Sequence, residues 1–197
     1  MRITPSAGIG GLGMNHSFVM ARLCIFCGSS TGHDPDFAQM AHDAARAVVG
    51  AGFGVVYGGG NVGLMGAVAD GALSAGGEVI GVIPRALATR EIAHEGVSML
   101  HVVESMHERK AMMVDLSDAF IALPGGYGTM DEFHEVLTWR QLGLHDKPIG
   151  LLNARGFYDP LLSQFDRMQK DGFLHGESRK LFVTASTIEE LLAKLFH

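Results

Sequence analysis

The sequence predicts an α/β fold in which helices cover both faces of a doubly wound parallel sheet. Short apolar runs alternate with segments of helical periodicity from Arg22 to the end of the chain. These runs are continuous rather than alternating in polarity, as expected for strands that are buried on both faces. The chain has 27 glycines in 197 residues, and they cluster where the apolar runs end. Ligands bind at those strand ends in Rossmann-like sheets, which is the architecture that we expect here.

The first half of the chain predicts four strands and two helices. One helix begins at Asp34-Pro35, with Asp34 as N-cap, and its apolar residues recur at helical spacing as far as Val48. A second helix spans Leu64 to Ser74 and is ended by a pair of glycines. The predicted strands are the apolar runs Arg22–Cys27, Phe53–Tyr57, Glu78–Ile83 and Met99–Val103.

The second half of the chain continues the alternation with four helices and two strands. The strands Ala119–Leu123 and Pro148–Leu152 are again short and apolar. No internal repeat or composition shift marks a second domain. Residues 22–197 are therefore predicted to form one domain, preceded by a flexible, glycine-rich extension over residues 1–21. The predicted helices are Ser105–Leu116, Thr129–Leu142, Phe157–Gln169 and Thr187–Phe196.

Composition excludes several functional classes. The net charge is −6 and there is no long basic run, so we expect no nucleic-acid partner. No 18-residue apolar stretch lacks a glycine or a polar break, and no signal peptide is recognisable, so we expect no membrane span and a cytoplasmic location. Cys24 and Cys27 would point to opposite faces of a strand, which predicts two buried thiols rather than a metal or redox pair.

The first glycine motif is Gly58-x-Gly-x-x-Gly63, between a predicted strand and a predicted helix. A dinucleotide-binding fold would also place an acidic residue at the carboxyl end of the next strand, where it would hold the ribose. Glu78 instead precedes that strand, and Pro84-Arg85 stands at its end. The sequence therefore disfavours NAD binding and indicates a tight turn that allows the close approach of a ligand or of other backbone.

The second glycine motif, Pro124-Gly-Gly-x-Gly128, leads into a helix that carries three carboxylates. Its glycines would expose the helix N-terminus to an anion. Thr129-x-x-Glu132 also matches a capping box, which competes with that interpretation. Glu132 and Glu135 share a helix face, whereas Asp131 points about 100° away and is expected to interact with the helix dipole.

The segment Met106-His-Glu-Arg109-Lys110 places two cations in the first half of a helix. Cations there oppose the helix dipole, so the segment predicts either a functional cluster or a solvated charged face. The ten histidines show no metal-binding spacing, and only His134, beside Glu135, lies near a candidate site. No nucleophile elbow and no P-loop occur in the sequence.

The second glycine motif and the Met106–Lys110 segment together resemble the LONELY GUY family of cytokinin-activating phosphoribohydrolases. The resemblance runs from about Arg22 to Phe196 and rests on Pro124–Glu132 together with Met106–Lys110. It implies hydrolysis of the N-glycosidic bond of a cytokinin riboside 5′-monophosphate, with AMP as a further substrate. The products are the free N6-substituted adenine and ribose 5-phosphate. Further matching segments are Cys27–Ser30, Tyr57–Gly60, Gly63–Gly66 and Trp139–Gly143.

The resemblance also implies site residues and partners. Arg109 and Glu132 would be the catalytic pair, in a cytoplasmic homodimer that uses no metal and no cofactor. Asp131 stands where many relatives carry glutamate. The implied substrate contacts are Glu91, Arg109, Lys110, Gly125, Gly126, Tyr127, Gly128, Thr129, Met130, Asp131, Glu132 and Thr138.

Two other functions compete with this interpretation. A lysine decarboxylase would need a pyridoxal-linked lysine or another electron sink, and only Lys110 offers itself for that role. A non-catalytic module that binds a nucleotide or a nucleotide-derived cofactor, such as a molybdenum-cofactor carrier, could share the fold. The combination of Arg109 with Glu132 favours the enzyme.

Overall fold

A single parallel sheet forms the centre of the molecule in a computed structural model that describes residues 20–88 and 93–196. The strand order is β4-β3-β2-β1-β5-β6-β7, and every adjacent pair is parallel. The predicted α/β fold is therefore confirmed. Most of the predicted extension, residues 1–19, lies outside the described residues. The strands are β1 Arg22–Phe26, β2 Gly54–Tyr57, β3 Val79–Pro84, β4 Met99–Val103, β5 Ala119–Ala122, β6 Ile149–Leu152 and β7 Val183–Ala185.

Helices cover the two faces of this sheet and bury one apolar cluster on each. Helices α1, α2 and α7 pack on one face, and α4, α5 and α6 pack on the other. Cys24 belongs to one cluster and Cys27 to the other, and both thiols are free and buried, as predicted. The helices are α1 Asp36–Gly50, α2 Gly63–Ser74, α3 Arg85–Ala88, α4 Met106–Asp115, α5 Tyr127–Gln141, α6 Asp159–Lys170 and α7 Ile188–Phe196, with 3-10 turns at Ala154–Gly156 and Gly176–Lys180.

A crevice opens where the strand order reverses, between the carboxyl ends of β1 and β5. The chain leaves β1 toward β2 on one side, whereas β5 leads to β6 on the other. Backbone hydrogen bonds close the floor of the crevice, from Gly28 N to Pro124 O (3.2 Å) and from Leu64 N to Gly28 O (3.0 Å). The turns after β1, β2 and β5 therefore meet at one place, which is where ligands bind in doubly wound sheets.

Several predicted boundaries need correction. Helix α5 begins at Tyr127 rather than Thr129, and the N-cap position of α1 is Pro35 rather than Asp34. Strand β7 and the short helix α3 were not predicted. At the last helix, Thr187 caps the N-terminus, because Glu190 N donates to Thr187 Oγ1 at 3.3 Å. Within the described ranges, no helix is long and apolar enough to cross a membrane.

Candidate active site

The crevice contains a cavity of about 140 Å³ at the start of α5. Its wall combines residues from the ends of β1 and β2 with side chains from α2, α4 and α5. The first and second glycine motifs, which lie far apart in the chain, thus meet in one cavity. Six of the predicted site residues line it: Arg109, Gly126, Tyr127, Gly128, Thr129 and Glu132.

The N-terminus of α5 forms one side of this cavity. Gly126 is the N-cap in an extended conformation, and no side chain caps the helix. The N–H groups of a first helical turn have no acceptors within the helix, and the helix dipole makes this end favourable for an anion. A Cβ atom on Gly125 would lie 2.1 Å from Thr129 Oγ1, so the turn needs glycine for this close approach.

Thr129 does not cap α5, so the capping interpretation of Thr129-x-x-Glu132 is wrong. It is the third residue of the helix, beyond the position from which a side chain caps. Thr129 is only 2% exposed, and its Oγ1 has no hydrogen-bond partner in the part of the chain that the structure describes. A buried hydroxyl without a partner costs about 1–3 kcal/mol. Thr129 also lines the cavity, so its hydroxyl is available to a group that binds there.

Arg109 lies on α4 with its guanidinium buried against the ends of two strands. Its Nε donates to Val82 O at 3.1 Å, and its Nη2 donates to Gly58 O at 2.9 Å. A Cβ atom on Gly58 would lie 2.0 Å from that Nη2. The first glycine motif therefore makes room for a guanidinium, and the alternative that Arg109 belongs to a solvated face is wrong.

Glu132 faces Arg109 across the cavity. The Nη1 of Arg109 lies 3.9 Å from Oε1 of Glu132, which is within ion-pair range but longer than a hydrogen bond. Both side chains are nearly buried, with 7% and 11% exposure. The cavity therefore holds a fixed cation and a carboxylate side by side, next to the positive end of a helix.

Lys110 contacts two carboxylates of α5 and does not line the cavity. Its Nζ lies 3.0 Å from Asp131 Oδ2 and 3.0 Å from Glu135 Oε1. Asp131 is therefore an ion-pair partner, rather than only a dipole partner as predicted. Burial lowers the pKa of Lys110, but the hydrogen bonds to Glu135 and Asp131 outweigh it, so the pKa is raised overall. Glu132 and Glu135 share a face, as predicted, and have different cationic partners.

The other predicted site residues lie around or outside the cavity. Gly125 lines an adjoining cavity, and the side chain of Met130 packs against the core beneath α5. Thr138 is exposed in a separate groove that also contains His134, whose Nδ1 contacts Met130 O at 2.7 Å. Glu91 lies outside the described residues. The structure thus gathers the glycine-rich segment with Arg109 and Glu132, and it leaves Thr138 and His134 apart from them.

The adjoining cavity is larger and more apolar, with a volume of about 280 Å³. It shares Gly28, Ser29 and Gly126 with the first cavity, and Phe37 and Phe157 also line it. The two rings meet edge to face with centroids 5.8 Å apart. Ser29 was not predicted as a site residue, although its position after the strand end in Gly28-Ser-Ser was the signal for it.

Glu78 and Cys27 complete the electrostatic picture. Glu78 pairs with Arg22 at 2.7 Å, before β3 and at the beginning of β1, so it lies at the opposite end of the sheet from the cavity. This placement removes the acidic residue that NAD binding would need. The Cys27 thiol lines the cavity, and its pKa is raised well above its usual range by burial and, to a smaller extent, by the charge of Glu132.

Comparisons with known proteins identify both sequence and structural relatives. Residues 65–195 match the model of a family described as possible lysine decarboxylase. The chain is 51% identical over 174 residues to a probable cytokinin riboside 5′-monophosphate phosphoribohydrolase of Oryza sativa subsp. japonica, covering 88% of this chain and 78% of the relative. It is 48% identical to a cytokinin riboside 5′-monophosphate phosphoribohydrolase of Arabidopsis thaliana, covering 88% of this chain and 81% of the relative.

A solved structure with the same fold is the molybdenum cofactor binding protein of Rippkaea orientalis. It matches with a TM-score of 0.68 at 25% identity, over 91% of this chain and 99% of that protein. This identity is about half that of the plant relatives, so this cofactor-binding protein is the more distant of the two kinds of neighbour.

Proposed function

Because this chain belongs to the LONELY GUY family of cytokinin riboside 5′-monophosphate phosphoribohydrolases, we propose that it hydrolyses the N-glycosidic bond of nucleoside 5′-monophosphates with an adenine or N6-substituted adenine base. Water adds its hydroxyl to C1′ of the ribose, and its proton ends on the base. The products are the free base and ribose 5-phosphate. The observation that carries this proposal is the unpartnered Thr129 hydroxyl beside the N-terminus of α5, in the same cavity as Glu132.

The N-terminus of α5 suits the 5′-phosphate. Its first-turn amides, the Thr129 hydroxyl and the dipole of a 15-residue helix all favour an anion at the same point. One such contact at an exposed site contributes only about 0.3–1 kcal/mol, so several donors must converge to hold a phosphate. The glycines at 125, 126 and 128 allow the phosphate to approach the backbone closely. The remaining predicted contacts, including Glu91, Lys110 and Thr138, belong to this proposal as family expectations.

Glu132 and Arg109 suit the bond that breaks. Glycosidic cleavage develops positive charge on the sugar ring, and a carboxylate held beside the ring stabilises that charge. Glu132 takes this role and helps to orient the attacking water. Arg109 positions the substrate or stabilises the negative charge that leaves with the base. Its two carbonyl acceptors hold the guanidinium in place before substrate binds.

The raised pKa of Lys110 argues against a lysine decarboxylase, which is the activity that the family description names. A lysine that forms a Schiff base must be deprotonated to act as a nucleophile. The ion pairs of Lys110 with Asp131 and Glu135 raise its pKa and keep it protonated. An absorbance spectrum of the purified protein without a pyridoxal band agrees with the hydrolase, whereas such a band would favour a decarboxylase.

The first prediction is a sharp requirement for the 5′-phosphate. The protein is incubated separately with AMP, isopentenyl-AMP and the matching nucleosides, and the liberated base is measured. We expect base release from the monophosphates and little from the nucleosides, because only the monophosphates engage the N-terminus of α5. Equal cleavage of nucleosides would contradict the phosphate site. Tight nucleotide binding without base release would favour a carrier of the kind that shares the fold.

The second prediction separates ligand binding from stability at Thr129. Thr129→Val removes the hydroxyl and keeps the shape of the side chain. Removal of an unpartnered buried polar group leaves the unliganded protein at least as stable, while the loss of one phosphate donor raises KM for AMP by about fivefold, or roughly 1 kcal/mol. Thermal unfolding and steady-state kinetics check both results.

Thr184→Val, on the distant strand β7, serves as the control and leaves KM unchanged. A Thr129→Val protein that unfolds at a lower temperature with an unchanged KM would mean that the hydroxyl has a structural partner.

The proposal also includes a homodimer and a cytoplasmic location. The family resemblance implies the dimer. The two free, buried thiols suit a reducing compartment. Sedimentation of the purified protein tests the dimer.

A further inference from the structure

The buried side chain of His94 contacts Asp70, and none of the proposed roles uses this contact. His94 is only 8% exposed, and its Nε2 lies 3.1 Å from Oδ1 of Asp70 on α2. Gly96 N donates to the other ring nitrogen, Nδ1, at 3.1 Å. Because Nδ1 accepts this bond, the proton sits on Nε2 and is donated to Asp70. The ring is thereby fixed at both nitrogens.

The backbone around His94 contacts the first glycine turn. His94 N donates to Gly59 O at 3.3 Å, and Ala93 forms an isolated antiparallel bridge with Gly60. Three consecutive glycines offer no side chains for packing, so this turn depends on its backbone partners for a fixed shape. Gly59 also adopts φ of 78°, in the left-handed region that favours glycine.

The opposite side of the same turn holds Arg109. Gly58 O accepts from Nη2 of Arg109, so a shift of the turn moves an acceptor of the buried guanidinium. Arg109 Nη1 lies 3.9 Å from Glu132 Oε1. If the Gly58 carbonyl moved away, the guanidinium would lose one of the two backbone acceptors that fix its position. Arg109 would then be more mobile and no longer aligned beside Glu132 for the substrate.

We propose that Asp70 and His94 act as a positioning pair, which holds the Gly58–Gly60 turn so that Arg109 stays in its catalytic place. The catalytic part of this inference rests on the proposed function. Asp70 and His94 touch no substrate, and they act only through the backbone of the turn.

The test compares His94→Ala, Asp70→Ala and Asp70→Asn with the wild-type protein. His94→Ala and Asp70→Ala lower kcat with AMP by about tenfold and change KM by less than about twofold. The reason is that the positioning pair holds Arg109 in place and does not bind the phosphate. Asp70→Asn keeps an acceptor oxygen for the Nε2 proton and retains most of the wild-type kcat. Asp70 is mostly exposed, so its variants are expected to fold. They therefore test the positioning pair even if His94→Ala folds poorly.

The matched control is His42→Ala. His42 also contacts an aspartate, Asp43, at 3.2 Å, but it lies on α1 away from the glycine turn. We expect its kcat to equal that of the wild-type protein.

A second measurement follows Arg109 directly. The proteins are treated with phenylglyoxal, which modifies arginine, and the modified peptides are identified by mass spectrometry. Arg109 reacts faster in His94→Ala and Asp70→Ala than in the wild-type protein, while Arg22, paired with Glu78 at the opposite end of the sheet, reacts at an unchanged rate. This result separates a local release of Arg109 from general unfolding, which would speed both reactions.

The two measurements together decide the inference. It is overturned if both alanine variants keep the wild-type kcat, or if kcat falls while the reactivity of Arg109 stays the same. If the wild-type protein releases no base but Arg109 still becomes more reactive in the variants, the structural role of the positioning pair is supported and the proposed function is wrong.

Discussion

Glu132→Gln is expected to lower kcat for AMP by about tenfold or more, which corresponds to roughly 1.4 kcal/mol of lost transition-state stabilisation. The amide has nearly the same shape as the carboxylate but carries no charge, so it cannot stabilise positive charge on the ribose. We expect the fold and the binding of nucleotide to be retained, since the proposed phosphate contacts lie about one turn earlier on α5. Steady-state kinetics together with the dissociation constant of AMP measure the two properties separately.

Glu135→Gln provides the matched control for this substitution. Glu135 lies one turn further along the same helix and pairs with Lys110 outside the first cavity. The same loss of one charge at this position leaves kcat close to that of the wild-type protein. A fully active Glu132→Gln protein would remove the carboxylate from the chemistry and leave Glu132 as a structural partner of Arg109.

Arg109→Ala is expected to reduce kcat/KM by about tenfold or more, because it removes the only guanidinium on the wall of the described cavity. The substitution also leaves the carbonyls of Val82 and Gly58 without their donor, at a cost of about 1–3 kcal/mol for each buried acceptor. Thermal unfolding must therefore be measured beside the kinetics, so that lost activity is counted per folded molecule.

Gly58→Ala tests the same role without deleting the charge. The added Cβ would lie 2.0 Å from Nη2, so the guanidinium must move while it stays in the protein. We expect kcat to fall in this variant too. Gly50→Ala, at the end of α1 with no described atom within 4 Å of the added Cβ, is the control and stays active. Unchanged kinetics in both Arg109→Ala and Gly58→Ala would exclude Arg109 from the mechanism.

The sequence predicted the fold well because the signals for strands and turns are local. Continuous apolar runs that end in glycine mark the central strands, whose burial on both faces leaves little room for polar residues. Strand β7, Val183–Ala185, was missed because three residues are too few to show any period. The predicted start of α5 was two residues too late, because Thr129-x-x-Glu132 matches the sequence pattern of a capping box. The same pattern at Thr187 does mark a cap.

The sequence predicted six of the residues that line the candidate site, but not the geometry of the site. The two cations at the start of α4 broke a local rule, which marked Arg109 and Lys110 as candidates, and the family resemblance then implied the catalytic role of Arg109. Its acceptors, Val82 O and Gly58 O, come from positions 27 and 51 residues earlier in the chain, so no local pattern reveals them. Lys110, the neighbour of Arg109 in the chain, pairs instead with Asp131 and Glu135. Which cation pairs with which carboxylate depends on the packing of α4 against α5, which the sequence does not show.

The thiol in the wall of the cavity affects how inhibitors of this protein should be designed. Electrophilic drugs capture a cysteine through its thiolate, and burial keeps Cys27 in the protonated form at neutral pH. A maleimide or acrylamide warhead aimed at this position would therefore react slowly, although Cys27 lines the proposed substrate cavity. Reversible mimics of ribose 5-phosphate, anchored at the start of α5, are the better starting compounds.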